Sequence, residues 1–150
     1  MMDPLKSISE SLVQRYSNRY RELGDSIRTL GWGSTEQQRY RFAMSLSLLG
    51  NTAGKKIVDV GCGFADFFRF LIESGVEFES YLGVDINEDL LGQARQKCND
   101  PRATFERINI LTEPPAEPLG DILVMFGILN FHLKEKMNNL DYTRMFVKNA

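Results

Sequence analysis

The sequence is short of the residues that build metal sites and disulfide frameworks. Its 150 residues include two cysteines, Cys62 and Cys98, and one histidine, His132. Structural zinc sites need four such ligands at close spacings such as CxxC, and this chain has no such set. We therefore expect no metal and no disulfide framework, which is typical of proteins of the reducing cytoplasm.

Long apolar runs and an excess of positive charge are also missing. A membrane span needs about 18 consecutive apolar residues, and the N-terminal stretch mixes charged with apolar residues, unlike a secretory signal. The net charge is −2 with both signs interspersed, whereas nucleic-acid surfaces carry a basic stripe. These absences predict a soluble, cytoplasmic protein with neither a membrane nor a nucleic acid as partner.

The first 50 residues carry the pattern of two helices. Asp3-Pro4 is typical of a helix start, and apolar residues then recur every three or four positions. The spacing Ser34-x-x-Gln37 predicts the start of a second helix, which Gly50 ends. Residues 1–50 are thus expected to form an N-terminal helical extension to a domain covering residues 51–150.

From residue 51 onward, short apolar runs alternate with helical patterns. The predicted strands cover residues 55–60, 81–85, 103–108 and 121–126, and the predicted helices cover residues 66–74, 87–98 and 133–147. Strands that alternate with helices indicate an α/β fold. We expect a doubly wound, mostly parallel, Rossmann-like sheet with helices on both faces.

The stretch DVGCGFADF, residues 59–67, lies between the first strand and the helix that follows it. In open α/β sheets the ligand binds beyond the carboxyl ends of the strands, and the first strand normally leads to that place. Gly61 and Gly63 permit a tight turn and a close approach of ligand to backbone. A strand, a GxG turn and a helix in this order predict a nucleotide-containing cofactor.

The charges around the turn favour one class of cofactor. A dinucleotide presents a pyrophosphate, yet Asp66 occupies the position of the third glycine and Asp59 precedes the turn. Two carboxylates would repel a pyrophosphate, by about 4 kcal/mol per charge pair at 4 Å. An acidic rim would instead attract S-adenosylmethionine (SAM), which carries an ammonium and a sulfonium. Asp85, at the end of the second strand, can accept hydrogen bonds from ribose hydroxyls of either cofactor.

The motifs VDVGCGFADF, YLGVDIN, ATFERINI and DILVMFGILNF resemble, in order and spacing, those of the class I SAM-dependent methyltransferases. The resemblance covers residues 55–131 and implies methyl transfer from SAM, with S-adenosylhomocysteine (SAH) as product. By position it implies these cofactor contacts: Asp59, Gly61, Cys62, Gly63 and Asp66 around the methionine part, Asp85 at the ribose, Ile86, Asn109 and Ile110 at the adenine, and Phe126 and Gly127 beneath the methyl group.

The chain departs from the family pattern in three respects. Asn109 stands where many members have aspartate, although its amide oxygen can still accept from the adenine amino group. FGILNF lacks the D/N-P-P-aromatic pattern of the amino-methylating DNA enzymes, which argues against a nucleobase substrate. Seven strands are usual and only four are recognisable, so we expect the C-terminal strands of the family sheet to be missing from this chain. The chain is then either part of a longer protein or a minimal variant.

Three residues are candidates for acceptor contacts or catalysis. His132 could deprotonate a nucleophile, or it could be a surface residue without a role. Asn130 could orient a polar group of the acceptor. Trp32, the only tryptophan, joins the two N-terminal helices, which in resembling proteins fold over the crevice as a lid. Its ring could pack against the sulfonium, or anchor the helices; Tyr16 and Tyr20 are expected in the helix core.

These features favour a methyltransferase that acts on a small-molecule acceptor by in-line SN2 displacement. A nicotinamide-dependent oxidoreductase and a non-catalytic SAM-binding module are the alternatives. The acceptor atom and the oligomeric state are left open by the sequence.

Overall fold

The computed structural model describes residues 3–129 and 137–150. The helices are α1 (Pro4–Leu23), α2 (Thr35–Leu49), α3 (Asp66–Glu73), α4 (Glu88–Lys97) and α5 (Asn139–Asn149), and the strands are β1 (Lys56–Val60), β2 (Ser80–Asp85), β3 (Ala103–Arg107) and β4 (Ile122–Met125). None of the helices among these residues is long and apolar enough to cross a membrane.

The four strands form one parallel sheet in the order β3-β2-β1-β4. Ile57 of β1 is in register with Tyr81 of β2 on one side and with Ile122 of β4 on the other. Strands β2 and β3 therefore lie on one side of β1, and β4 lies on its other side. This confirms the predicted Rossmann-like α/β fold and places the reversal of strand order between β1 and β4, where such sheets bind ligands.

Side-chain alternation along the strands divides the core into two layers. Ile57 points to a cluster rich in phenylalanine from α2 and α3, whereas Val58 and Val60 point to a cluster built with α1 and α5. Helices on both faces therefore bury the sheet, as parallel sheets require. The same alternation points Asp59 to the side of the phenylalanine-rich cluster, which is called the aromatic layer below.

The predicted helix starts are confirmed by their hydrogen bonds. The Asp3 side chain accepts from the Leu5 amide at 3.0 Å, and the Ser34 hydroxyl accepts from the Gln37 amide at 3.1 Å. The Gln37 side chain accepts in return from Gly33, one residue earlier than a standard capping box. The sequence spacing thus identified the start of α2.

Helix α1 lies across the carboxyl ends of the strands and is held there by polar contacts. The Asn109 amide donates to the Ser9 hydroxyl at 2.8 Å, and the Asn87 amide donates to the Val13 carbonyl at 3.2 Å. Further along α1, the Ser17 hydroxyl donates to Asp89 at 2.7 Å. The first half of the extension therefore covers the ligand-binding edge of the sheet.

Of the predicted helix over residues 133–147, the described part is α5, Asn139–Asn149, and residues 133–136 lie outside the described residues. Met137 and Asn138 precede α5, and the Asn138 side chain caps it by accepting from the Leu140 amide at 2.8 Å. Leu140 is 55% exposed, while Tyr142 and Phe146 are buried. Met137, Tyr142 and Phe146 pack against the cluster that contains Val58 and Val60 of β1, so this segment covers one face of the sheet while Leu140 faces solvent.

Candidate functional site

A crevice of about 480 Å³ lies between α1 and the carboxyl ends of β1, β2 and β4. Its lining includes all the predicted cofactor contacts, namely Asp59, Gly61, Cys62, Gly63, Asp66, Asp85, Ile86, Asn109, Ile110, Phe126 and Gly127. Trp32 lines it as well. The fold thus brings these residues together, while their individual roles remain predictions. Asn130 and His132 lie outside the described residues.

The glycine turn is shaped by close neighbours and by its backbone conformation. Gly61 and Gly63 have φ of 76° and 55°, in the left-handed region that favours glycine. A Cβ on Gly61 would lie 2.2 Å from Cγ2 of Ile128, and one on Gly63 would lie 2.9 Å from Cδ2 of Leu30. A side chain at either position would therefore displace a neighbouring side chain as well as strain the backbone.

The amide groups of this turn are already used within the protein. Gly61 and Cys62 both donate to the Val84 carbonyl, at 2.8 and 3.1 Å, and Gly63 donates to the Asp85 carboxylate at 3.0 Å. A pyrophosphate bound at such a turn needs free amide donors. These three amides are not free to serve one.

Asp59 lies under the turn, not on a rim. It is 2% exposed and accepts a hydrogen bond from the hydroxyl of Tyr81, while its other oxygen, Oδ1, is the buried side-chain polar atom without a hydrogen-bond partner among the described residues. Burial raises the pKa of Asp59 to about 7, against the opposing effect of the Tyr81 hydrogen bond. The expectation of a charged residue at the mouth is therefore wrong for Asp59.

Asp85 closes the end of β2 and holds two neighbouring segments. One oxygen accepts from the Gly63 amide and the other from the Asn87 amide, each at 3.0 Å. Burial raises the pKa of Asp85, and these backbone hydrogen bonds oppose the rise. The carboxylate is thereby held in a fixed orientation in the crevice, beside the turn.

Asp66, at the start of α3, also contacts the N-terminal extension. It pairs with Arg69 one turn later and accepts from the Gln38 side chain at 2.9 Å. Gln38 is buried on α2 and also lines the crevice. Asp66 thus joins α2 to α3 and contributes one charged side chain to the lining.

Two arginines of α1, which the sequence analysis did not single out, also line the crevice. Arg15 and Arg19 are four residues apart, the spacing that places side chains on one helix face. Their presence means that the crevice is not uniformly acidic. The spacing was visible in the sequence, but which face of α1 covers the crevice was not.

The aromatic residues of the extension are divided between core and crevice. Tyr16 lines the crevice, contrary to its prediction as a core residue, and burial raises the pKa of its hydroxyl. Tyr20 packs against Phe64, with ring centroids 5.9 Å apart. Trp32 does both, since it meets Phe42 edge-on at 6.3 Å and lines the crevice beside Gly127.

The lining offers little for metal binding. No group of three or more His, Cys, Asp and Glu side chains within residues 3–129 and 137–150 is arranged to hold a metal ion. Both cysteines are buried free thiols, and burial raises the pKa of each. The site therefore offers carboxylates, two guanidinium groups and aromatic rings.

Comparison with known proteins identifies relatives of this chain. A family model described as a methyltransferase domain matches residues 57–146. The ubiquinone biosynthesis O-methyltransferase of Methylococcus capsulatus is 38% identical over 65 residues, which are 43% of this chain and 26% of that protein. An uncharacterised protein of Haemophilus influenzae is 33% identical over 99 residues, 63% of this chain and 38% of its own. The matched segments therefore span well under half the length of these relatives.

A solved structure has a similar fold. The phosphoethanolamine N-methyltransferase 1 of Haemonchus contortus, in complex with phosphoethanolamine and SAH, matches with a TM-score of 0.69 at 16% identity. The match covers 99% of this chain and 30% of that one. It includes the N-terminal helices as well as the sheet, and at this identity it concerns the fold alone.

Proposed function

This chain belongs to the methyltransferase-domain family of class I SAM-dependent enzymes, and on that premise we propose that its crevice binds SAM. We propose further that it transfers the methyl group to a small-molecule acceptor by in-line displacement. The match covers only part of the length of the relatives. The activity of the whole protein is therefore a proposal as well.

The observation that carries the proposal is the state of Asp59. Its Oδ1 is buried without a hydrogen-bond partner among the described residues, and such an oxygen is costly unless a ligand satisfies it. An ammonium group supplies both hydrogen-bond donors and a positive charge. The methionine ammonium of SAM fits this acceptor, and a pyrophosphate does not.

The other lining residues fit the rest of the same cofactor. Asp85 presents a fixed carboxylate for ribose hydroxyls, and Ile86 and Ile110 provide apolar surface for a purine ring. SAM, when bound, supplies a methyl group on a positively charged sulfur that is a good leaving group. The protein's own task is then to orient the acceptor and exclude water, and α1 and Trp32 are placed to do both.

A small acceptor is favoured by the enclosure of the site. Helix α1 is tied across the crevice by contacts at Ser9, Val13 and Ser17, so a reacting group must enter a covered space. An extended polymer would need this helix to move. Neither a nucleic acid nor a membrane is part of the proposal.

Two alternatives make different predictions. A nicotinamide-dependent oxidoreductase would need amide donors for a pyrophosphate, and those of Gly61, Cys62 and Gly63 are engaged. A non-catalytic module would bind SAM without transferring the methyl group. The first alternative is therefore separated by cofactor binding and the second by turnover.

The experiment combines calorimetry with a transfer assay. We expect SAM and SAH to bind and NAD not to bind, with a change in the fluorescence of Trp32 on SAH addition because its ring lines the crevice. Transfer of a labelled methyl group from SAM to components of a metabolite extract would identify an enzyme. Binding without transfer would favour the module, and binding of NAD alone would refute the proposal.

A further inference from the structure

Arg15 and Arg19 present two guanidinium groups to the crevice from the same face of α1. Arg15 is exposed and Arg19 is half-buried, so both can reach solvent-borne ligands at the mouth. They are the arginines of the crevice lining and have no counterpart among the predicted cofactor contacts. The anions that can enter the site are the carboxylate of the cofactor's methionine part and an acidic group of the acceptor.

The position of Arg19 relates it to the acceptor side of the crevice. A Cβ on Gly31 would lie 3.1 Å from Nη1 of Arg19, so this guanidinium lies against the loop that carries Trp32. Trp32 in turn neighbours Gly127, since a Cβ there would lie 3.7 Å from Cζ2 of the indole. Gly127 follows β4, and the resemblance to the class I methyltransferases implies that the methyl group lies near this residue.

The two positive charges are not neutralised by the described part of the chain. Neither arginine takes part in the ion pairs formed among residues 3–129 and 137–150. The acids of the crevice have other partners: Asp59 has Tyr81, Asp66 has Arg69 and Gln38, and Asp85 has the amides of Gly63 and Asn87. The guanidinium groups therefore remain available for an anion.

Bound SAM adds the positive charge of its sulfonium to those of the two arginines, so an anion in the crevice becomes more favourable. Like charges in a partly enclosed site repel, and the repulsion is relieved when a negative group lies between them. A guanidinium matches carboxylate and phosphate oxygens with two parallel hydrogen bonds, and two guanidiniums one turn apart can share one such group.

We propose that Arg15 and Arg19 select a methyl acceptor that carries a carboxylate or phosphate group and hold that group at the mouth of the crevice. The inference rests on the proposed function, because it assigns the substrate class of the same site. Both arginines act in binding and orientation; no proton or electron is transferred to them.

The test uses simple anions as probes of the SAH-loaded protein. Benzoate, inorganic phosphate and the neutral benzamide are titrated at low ionic strength into wild type and into Arg15→Gln/Arg19→Gln. We expect at least one anion to bind wild type, benzamide to bind much more weakly, and the double variant to lose about tenfold or more of the anion affinity. Added salt should weaken anion binding to wild type.

Two further variants serve as controls for the position of the charge and for the shape of the guanidinium group. Arg21→Gln removes the same charge from the same helix outside the crevice, where Arg21 contacts Asn18, and should leave anion affinity unchanged. Arg15→Lys/Arg19→Lys retains the charges without the planar fork and should keep part of the affinity. Thermal melts and circular dichroism establish that every variant is folded.

Several outcomes overturn the inference. Equal anion binding by wild type and the Gln double variant would do so, as would no anion binding by wild type. A different result is that the double variant loses tenfold in affinity for SAH but none for 5′-methylthioadenosine, which lacks the carboxylate. That result would show that the arginines bind the cofactor and not the acceptor. If wild type bound neither SAM nor SAH, the proposed function would fail, and the unliganded protein would serve for the same anion comparison.

Discussion

The hydroxyl of Tyr81 donates a hydrogen bond to the carboxyl group of Asp59 within the aromatic layer of the core. The two residues come from neighbouring parallel strands, and both are almost fully buried. Because burial raises the pKa of Asp59 to about 7, this carboxyl group changes its protonation in the neutral pH range. The raised pKa affects both the stability of the protein and its affinity for cofactor.

The first effect concerns stability without cofactor. Since the pKa of Asp59 is higher in the folded protein than its ordinary value of 3.8, the folded state binds more protons than the unfolded state between these values. Its contribution to the free energy of unfolding is therefore fully present near pH 3 and lost as pH rises through 7. Between pH 5 and pH 8 wild type should lose about 2–3 kcal/mol that Asp59→Asn does not lose.

Urea denaturation of both proteins at pH 5, 6, 7 and 8 measures this difference. Glu106→Gln, a change at an exposed carboxylate on β3, serves as control and should follow wild type. Parallel pH profiles for wild type and Asp59→Asn would contradict the raised pKa.

The second effect concerns SAM binding. If the methionine ammonium binds ionised Asp59, binding must remove the proton that this group holds below pH 7, and affinity must rise with pH in that range. We expect up to about a tenfold gain per pH unit between pH 5.5 and 6.5. Calorimetry in two buffers of different ionisation enthalpy measures the released proton. Asp59→Asn should bind more weakly and release none.

Asp85 is expected to contribute to cofactor affinity through its fixed carboxylate. Asp85→Ala should weaken SAH binding about 10–100-fold, since hydrogen bonds to a charged acceptor contribute roughly 1.5–3 kcal/mol. Asp85→Asn keeps one acceptor oxygen for the Gly63 or Asn87 amide and should lie between wild type and the alanine variant. Calorimetry with SAH provides the values. Unchanged affinity in the alanine variant would place the ribose elsewhere.

Gly61 is expected to be intolerant of a side chain. Gly61→Ala brings a Cβ to 2.2 Å from Ile128 at a φ of 76°, so we expect a loss of roughly 2–4 kcal/mol in the free energy of unfolding. Ile128→Ala in the same chain should remove the clash but not the conformational cost, and thus restore part of the loss. The matched control is Gly92→Ala in α4, where a Cβ meets nothing within 4 Å and stability should rise slightly. Equal melting temperatures for the two single variants would be inconsistent with the close packing of the turn.

Local patterns were sufficient for the element order and for the place of the crevice. Ser34 and Asn87 cap the helices that follow them, and strands β1 and β2 were recognisable as short apolar runs. These features depend on neighbours within a few residues, which the sequence displays directly. The carboxyl ends of parallel strands then meet at one edge, so the motif residues had to gather there.

Only the tertiary structure decided which charges the crevice contains and how they behave. Asp59 was expected on an acidic rim, but strand alternation and the packing of α2 and α3 bury it beside Tyr81 and change its pKa. Arg15 and Arg19 enter the lining because α1 is laid across the sheet by Asn87 and Asn109, distant in sequence. Burial and the electrostatic environment depend on long-range contacts, so a sequence can specify the ionisable groups of a site without revealing their protonation or their neighbours.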